Sequence, residues 1–491
     1  MLRPSRRTSS LTLVTGVAAL VAGLFDLGAA HAQAMKPGRT LVPSPEDAPE
    51  GPHAVYIIDD TLEAVGDVSN IIFLNRCVGG CTITGTENRS DARTNESSIP
   101  MPGSGTFNVA EFAYTNEDWD ELVACVQKVY APYDVVVTDV DPGQSVIHHE
   151  AIVAGISANI GWPPDVLGVG TVAGDCSPYD NGISFSFANA HASMQDLCHT
   201  VAQESAHTYG LDHELECSDP RTYLEGCGPK FFRNLNAVCG EFSARPCRCS
   251  GAQNSHVSLN AVFGPNPTPL PAPTASVVSP SDGATVTSGF SVFVQATHDR
   301  GFSAAELWIN GYRWAVTTED DFTKTSGTYT LATPPSVPDG IMDLEVRVYD
   351  DLHTVYGSAE LTVTKGAPCT SAASCSEGQQ CEEGRCFWDP PTAELGAACE
   401  YDEFCLSGEC RDDGSGAICT QACITGTANA CPTGLECTAA AGTSTGYCFL
   451  PGEDGGCCSA GDRGVAGRFA IAGLVVAFVL GGGRRRRRVA A

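Results

Sequence analysis

The sequence predicts a multidomain exported protein: an α+β N-terminal domain built on a twisted sheet, a β-sandwich, a small disulfide-rich module and a C-terminal hydrophobic segment. Three observations predict this. At 491 residues the chain is too long for one hydrophobic core. Its 24 cysteines would be hazardous thiols in a reducing compartment and read as a disulfide framework in an oxidising one. Strand and helix patterns alternate before a proline-rich stretch near residue 270, and strand patterns alone follow it.

Residues 1–32 read as a signal peptide. Arg3, Arg6 and Arg7 precede an apolar run from Leu11 to Leu27, and Ala30-His31-Ala32 supplies the small-x-small pattern of a cleavage site. The run is short for a membrane helix. The mature chain is expected to start near Gln33, and residues 33–53 form an N-terminal segment with no assigned role.

Residues 54–264 carry whatever chemistry there is. AVYIID and IIFLN read as strands, and Asn116 is placed to cap a helix with Trp119, Leu122, Val123, Val126 and Val129 or Tyr130 on one face. YDVVVTDV, EAIVAG, LGVGTV and GISFSFA follow as strands, the last expected at a sheet edge. A second helix should begin near Ser193, bury Met194, Leu197, Val201 and Ala202, and run to Tyr209.

That helix carries QESAHTYGLDH, Gln203 to His213. The stretch resembles the metzincin zinc-peptidase signature H-E-x-x-H-x-x-G-x-x-H, so the domain is expected to be metzincin-like, with an active-site helix. The resemblance implies a zinc ion held by Gln203, His207 and His213. Residues four apart share a helix face, so Gln203 and His207 can meet one ion. Gly210 can take the positive φ that reverses the chain and brings His213 beneath it. Glu204 would be the general base and then acid for a metal-activated water.

Two positions depart from the family pattern. Gln203 stands where a histidine is expected, and an amide oxygen is a weak donor beside an imidazole. Arg221, in Asp219 to Tyr223, occupies the place expected for the methionine of the family's turn beneath the metal, and its cation would oppose a dication. His199 lies about 12 Å along the helix from His207, too far to share the ion, and is expected as a surface or supporting histidine. His148 and His149 are expected to be solvated at a strand entrance. Tyr223 is either a phenol donor beside the metal or a packed aromatic. The ten cysteines from Cys77 to Cys249, Cys198 on the site helix included, are expected to be bridged, which argues against a cysteine nucleophile.

Residues 265–275 form a proline-rich, semi-rigid linker. Over 276–366, SVFVQAT, ELWIN, YRWAV, MDLEVRVYD and AELTVT read as strands, with Asn310-Gly311 as a two-residue hairpin turn. This segment resembles bacterial immunoglobulin-like (Ig-like) sandwiches and carries no chemical motif. Residues 367–450 hold twelve cysteines and few large apolar residues, so cross-links must replace a core. The spacings Cys375-x5-Cys381-x4-Cys386 and Cys399-x5-Cys405-x4-Cys410 suggest two related knots. In 451–491, Cys457-Cys458, an apolar stretch from Phe469 to Leu480 and Arg484 to Arg488 resemble the sorting tails called MYXO-CTERM. That resemblance implies transient membrane insertion through a short segment, the alternative being a tail anchor.

The formal charge of −30 argues against nucleic acid and anionic membrane as partners. Two functions remain. One is a secreted or cell-surface zinc metallopeptidase acting on a protein or peptide substrate. The other is a pseudopeptidase that binds a protein or peptide ligand without cutting it.

Overall fold

The computed structural model describes residues 37–451, except 45–46, 50, 63–67, 249–250, 319–323, 400–401, 413, 415, 425–429 and 440–444. The signal-peptide and sorting-tail expectations lie outside the described residues. The fold is multidomain and β-rich, and its C-terminal module is cysteine-rich. Every cysteine among the described residues is disulfide-bonded, as an oxidising, extracellular environment favours. No helix among them is long and apolar enough to cross a membrane.

The N-terminal unit is organised by β1 (Arg39–Val42), β2 (His53–Asp59), β3 (Ile71–Asn75), β4 (Cys81–Gly85), β5 (Glu96–Ser97), β6 (Gly105–Val109), α1 (Asn116–Tyr130), β7 (Val136–Thr138), β8 (His149–Val153), β9 (Val166–Ala173), β10 (Ile183–Ser186), α2 (Met194–His207) and α3 (Ser255–Phe263). Seven strands form one sheet in the order β1-β2-β9-β10-β8-β3-β7. β10 pairs with both β8 and β9, so GISFSFA is an interior strand and not the expected edge. The reason is that β9, just ahead of it in the chain, flanks β10 on one side and β8 flanks it on the other; beyond β9, β2 runs parallel to it and β1 pairs antiparallel to β2. The sheet therefore reaches back past residue 54. Strands β4, β5 and β6 make a small separate sheet.

Helix α1 is capped one residue earlier than its sequence suggests. Thr115 accepts from the Asp118 amide while the Asp118 carboxylate takes the Thr115 amide, and Asn116 turns out to receive Arg76. The expected face of α1 is buried at Trp119, Leu122, Val126, Val129 and Tyr130. Cys125–Cys198 ties it to α2, which Ser193 caps. Helix α2 closes on β9 because β9 carries glycine beneath it. A Cβ at Gly168 would stand 2.7 Å from Glu204 Cγ, and one at Gly170 2.6 Å from Glu204 O.

Downstream follow β11 (Thr274–Ser279), β12 (Thr285–Val286), β13 (Ser291–Thr297), β14 (Phe302–Ile309), β15 (Tyr312–Thr318), β16 (Ser326–Ala332), β17 (Gly340–Asp350) and β18 (Tyr356–Lys365). They form sheets β11-β13-β16 and β12-β18-β17-β14-β15 around one core that includes Val292, Val294, Leu307 and Val346. Asn310 and Gly311 take positive φ between β14 and β15, as a two-residue hairpin requires.

The proline-rich stretch does not hold the two units apart. Asp351 accepts from Arg233 of the first unit at 2.9 Å and Arg300 of the second at 3.1 Å, all three buried, and Arg300 lies 4.2 Å from the centroid of the Phe231 ring.

The cysteine module contains three knots, one more than the spacings suggested. Each bridges its first cysteine to its third and its second to its fourth: Cys369–Cys381 with Cys375–Cys386, Cys399–Cys410 with Cys405–Cys419, and Cys423–Cys437 with Cys431–Cys448. Three sulfur atoms in each knot lie within 4.8 Å of one another, a grouping that could hold a metal ion. As disulfides they offer no thiolate, so only reduction would make them ligands.

Candidate functional site

The site is formed where α2 ends and the chain doubles back. Gly210 has φ +85°, and a side chain there would strike Cys176 O at 2.1 Å, so the reversal requires glycine. The return brings the His213 ring centroid to 5.0 Å from that of His207. His207 and His213 thus come together, but deep inside: Gln203 is 5% exposed and Glu204, His207 and His213 are 0%.

Arg221 shares this interior and is itself 0% exposed. Its guanidinium donates to three main-chain carbonyls: Nε to Asp212 O at 3.0 Å, Nη2 to Leu211 O at 2.7 Å, and Nη1 to Gln203 O. Carbonyls near a helix C-terminus carry partial negative charge, which favours a cation there. The turn bearing Arg221 is held by Asp219, whose Oδ1 accepts the Arg221 amide and whose Oδ2 accepts the Arg233 amide.

Nη2 of Arg221 also lies 2.7 Å from Nδ1 and 3.3 Å from Nε2 of His207. Contact with both nitrogens at once sets the guanidinium against the ring and away from either lone-pair direction. The 2.9 Å contact of Nδ1 with Leu211 O can then hold the ring proton, which leaves Nε2 as the basic nitrogen. Burial, then the Arg221 charge, then His213 push the His207 pKa well down.

Glu204 lies against the glycines of β9, and neither carboxylate oxygen has a protein hydrogen bond of good geometry. Burial drives its pKa well up, partly offset by the Arg221 cation and the Gly170 amide. Gln203 Nε2 and His213 Nε2 are likewise buried without a hydrogen-bond partner. His213 Nδ1 sits 3.2 Å from Glu241.

Sequence reasoning missed the residues that close the site. Tyr56 of β2 stacks on His207 with centroids 4.2 Å apart, meets His213 edge-on at 4.8 Å, and donates to Asp212 at 2.6 Å. Arg245 then clamps Asp212 through both oxygens at 2.7 Å and also binds Glu241. Burial opposes the Asp212 charge, but Arg245 and Tyr56 outweigh it and hold its pKa down to about 2. No local pattern marked Tyr56, because one aromatic in an apolar strand looks like core. Tyr223 also packs at the site: its ring is 4.6 Å from His213 and its hydroxyl donates to Ala54 O.

The remaining histidines belong to the frame. His199 is 8% exposed, and its Nε2 accepts the Lys230 amide at 3.1 Å. His148 and His149 are buried, contrary to the solvated expectation, because β8 lies inside the sheet; His149 Nε2 contacts Ser184 Oγ at 2.9 Å.

These residues do not fit a zinc ion as they stand. Zinc ligated by His207 Nε2 at about 2.1 Å would lie within about 5.4 Å of the Arg221 guanidinium, a repulsion of at least about 6 kcal/mol at an effective dielectric of about 20. Replacing a histidine by Gln203 costs about 3 kcal/mol more. Both effects act against zinc, and each is a sizeable part of the roughly 10–16 kcal/mol that a structural site supplies.

No family model matches the sequence, and no curated protein matches it. Among solved structures, fibronectin(III)-like modules of Clostridium thermocellum CbhA are 14% identical over 19% of this chain and 46% of that one, with a TM-score of 0.15. A Jonesia denitrificans lytic polysaccharide monooxygenase is 16% identical over 26% of this chain and 75% of that one, with a TM-score of 0.14. An endo-beta-1,4-mannanase from Thermotoga petrophila is 11% identical over 23% and 22%, with a TM-score of 0.16. The chain thus spans under half the length of the CbhA modules, and likenesses this slight carry no argument.

Proposed function

We propose that this chain is an exported pseudopeptidase: a metzincin-like domain without hydrolytic activity that serves, with an Ig-like sandwich and a cysteine-rich stalk, as a protein- or peptide-binding module at the cell exterior. The signal-peptide pattern, the sorting-tail pattern and the disulfides support export. The Gln203–His213 stretch supports the ancestry.

The observation that carries the loss of catalysis is the seal over Glu204. β2 occupies the side of β9, its Tyr56 covers both histidine rings, and Glu204, His207 and His213 have no exposed surface. A general base must come within about 3 Å of the proton it takes, and a scissile peptide cannot approach that closely here. The working-peptidase reading keeps the support of Glu204, His207, Gly210 and His213 in one motif.

The two separate in an assay of the full mature chain on an unfolded protein substrate with zinc present, beside a Glu204→Ala variant. The pseudopeptidase reading expects no cleavage by either. Cleavage by the native chain that Glu204→Ala abolishes would sink it.

A further inference from the structure

We infer that Arg221 is a built-in cation that takes the place of a divalent ion, so that its guanidinium and a metal are mutually exclusive occupants of this interior. The inference deepens the pseudopeptidase reading by naming the residue that excludes the ion, and it rests on a different observation from the seal of Tyr56.

Three features carry it. First, the guanidinium is held as a cation would be, by oxygens converging on it: the carbonyls of Gln203, Leu211 and Asp212, each from the end of α2 or the reversal after it. Second, the donors that would meet an ion are left over. Gln203 Nε2 and His213 Nε2 are buried without hydrogen bonds and the Glu204 carboxylate has only the poorly aligned Gly170 amide, whereas buried polar groups are ordinarily paired. An amide can turn its oxygen where its nitrogen stands. Third, the Arg221 charge acts on Glu204 and Glu214, and also on Asp219 and Asp212, which Arg233 and Arg245 serve besides. Removing that charge would leave those acids without it and leave His207 Nε2, His213 Nε2 and Gln203 facing a smaller, neutral neighbour. A divalent cation is then the ligand that answers both deficits.

The experiment measures zinc retained by the full mature chain after dialysis, for the native protein and for Arg221→Met and Arg221→Gln. Glutamine keeps an amide for the carbonyls if methionine disturbs folding. The native chain is expected to retain less than about 0.1 equivalent and each neutral variant more than about half an equivalent. Adding His213→Ala should remove the gain, which separates this site from surface carboxylates. Thermal unfolding of the native chain should also move by less than about 1 °C on adding about 10 µM zinc. Folded neutral variants that stay zinc-free would overturn the inference, as would a clear zinc-dependent rise in the native unfolding temperature. Loss of peptidase silence in the native chain would instead overturn the pseudopeptidase reading, so the two failures are distinguishable.

Discussion

Arg221 Nη2 lies 2.7 Å from Nδ1 and 3.3 Å from Nε2 of His207, with neither residue exposed. A permanent cation therefore touches the one imidazole that the helix spacing places best for a metal. A guanidinium in this position sets the sign of what the interior will accept. Four acids, Glu204, Asp219, Glu214 and Asp212, act on this same guanidinium, while burial and the Arg221 charge push both histidines toward the neutral form.

Close packing of α2 on β9 is the first consequence open to test. Gly170→Ala would place a methyl 2.6 Å from Glu204 O and 2.9 Å from His207 Cβ. Overpacking of this kind costs about 1–3 kcal/mol, so calorimetry should show the transition of the N-terminal unit lowered by several degrees, about 2–4 °C per kcal/mol. An unchanged transition would mean that the helix rides farther from the sheet.

Glu150 gives a pH signature away from the site. It is fully buried on β8, accepts from Asn75 at 2.7 Å, and burial raises its pKa to about 7. The folded state therefore holds its proton more tightly than the unfolded chain. This group's stabilisation is complete below the ordinary carboxyl pKa and is lost as pH rises through about 7, a swing of about 3 kcal/mol. Glu150→Gln keeps the acceptor for Asn75 and should flatten the fall in unfolding temperature between pH 5 and pH 8. A variant with the native slope would refute the assignment.

Asp351 joins the two large units by sharing its carboxylate between Arg233 and Arg300. Asp351→Asn removes the charge from a buried triad, a change that costs about 3–5 kcal/mol. The measurable outcome is faster limited proteolysis of the proline-rich stretch, with the two units melting separately. Proteolysis at the native rate would show that the interface holds without it.

Much of this was legible in the sequence, for identifiable reasons. The hairpin at Asn310-Gly311 and the buried face of α1 follow from local turn chemistry and helical periodicity, which survive without knowledge of neighbours. The convergence of His207 and His213 follows from a helix spacing and one glycine. What the sequence hid was long-range. Tyr56 reaches His207 across a separation of about 150 residues, a relation that no window on the chain contains. The buried state of His149 has the same origin. Arg221 stood out as a departure from a pattern, but only the fold shows that its charge is spent on carbonyls of the very helix that carries the motif.

The central claim, that the native interior holds a guanidinium in place of a metal, is tested most directly by calorimetric titration of zinc into the full, oxidised chain. The account predicts no saturable one-to-one event tighter than about 10 µM. A one-to-one event tighter than that, abolished by His213→Ala, would contradict it.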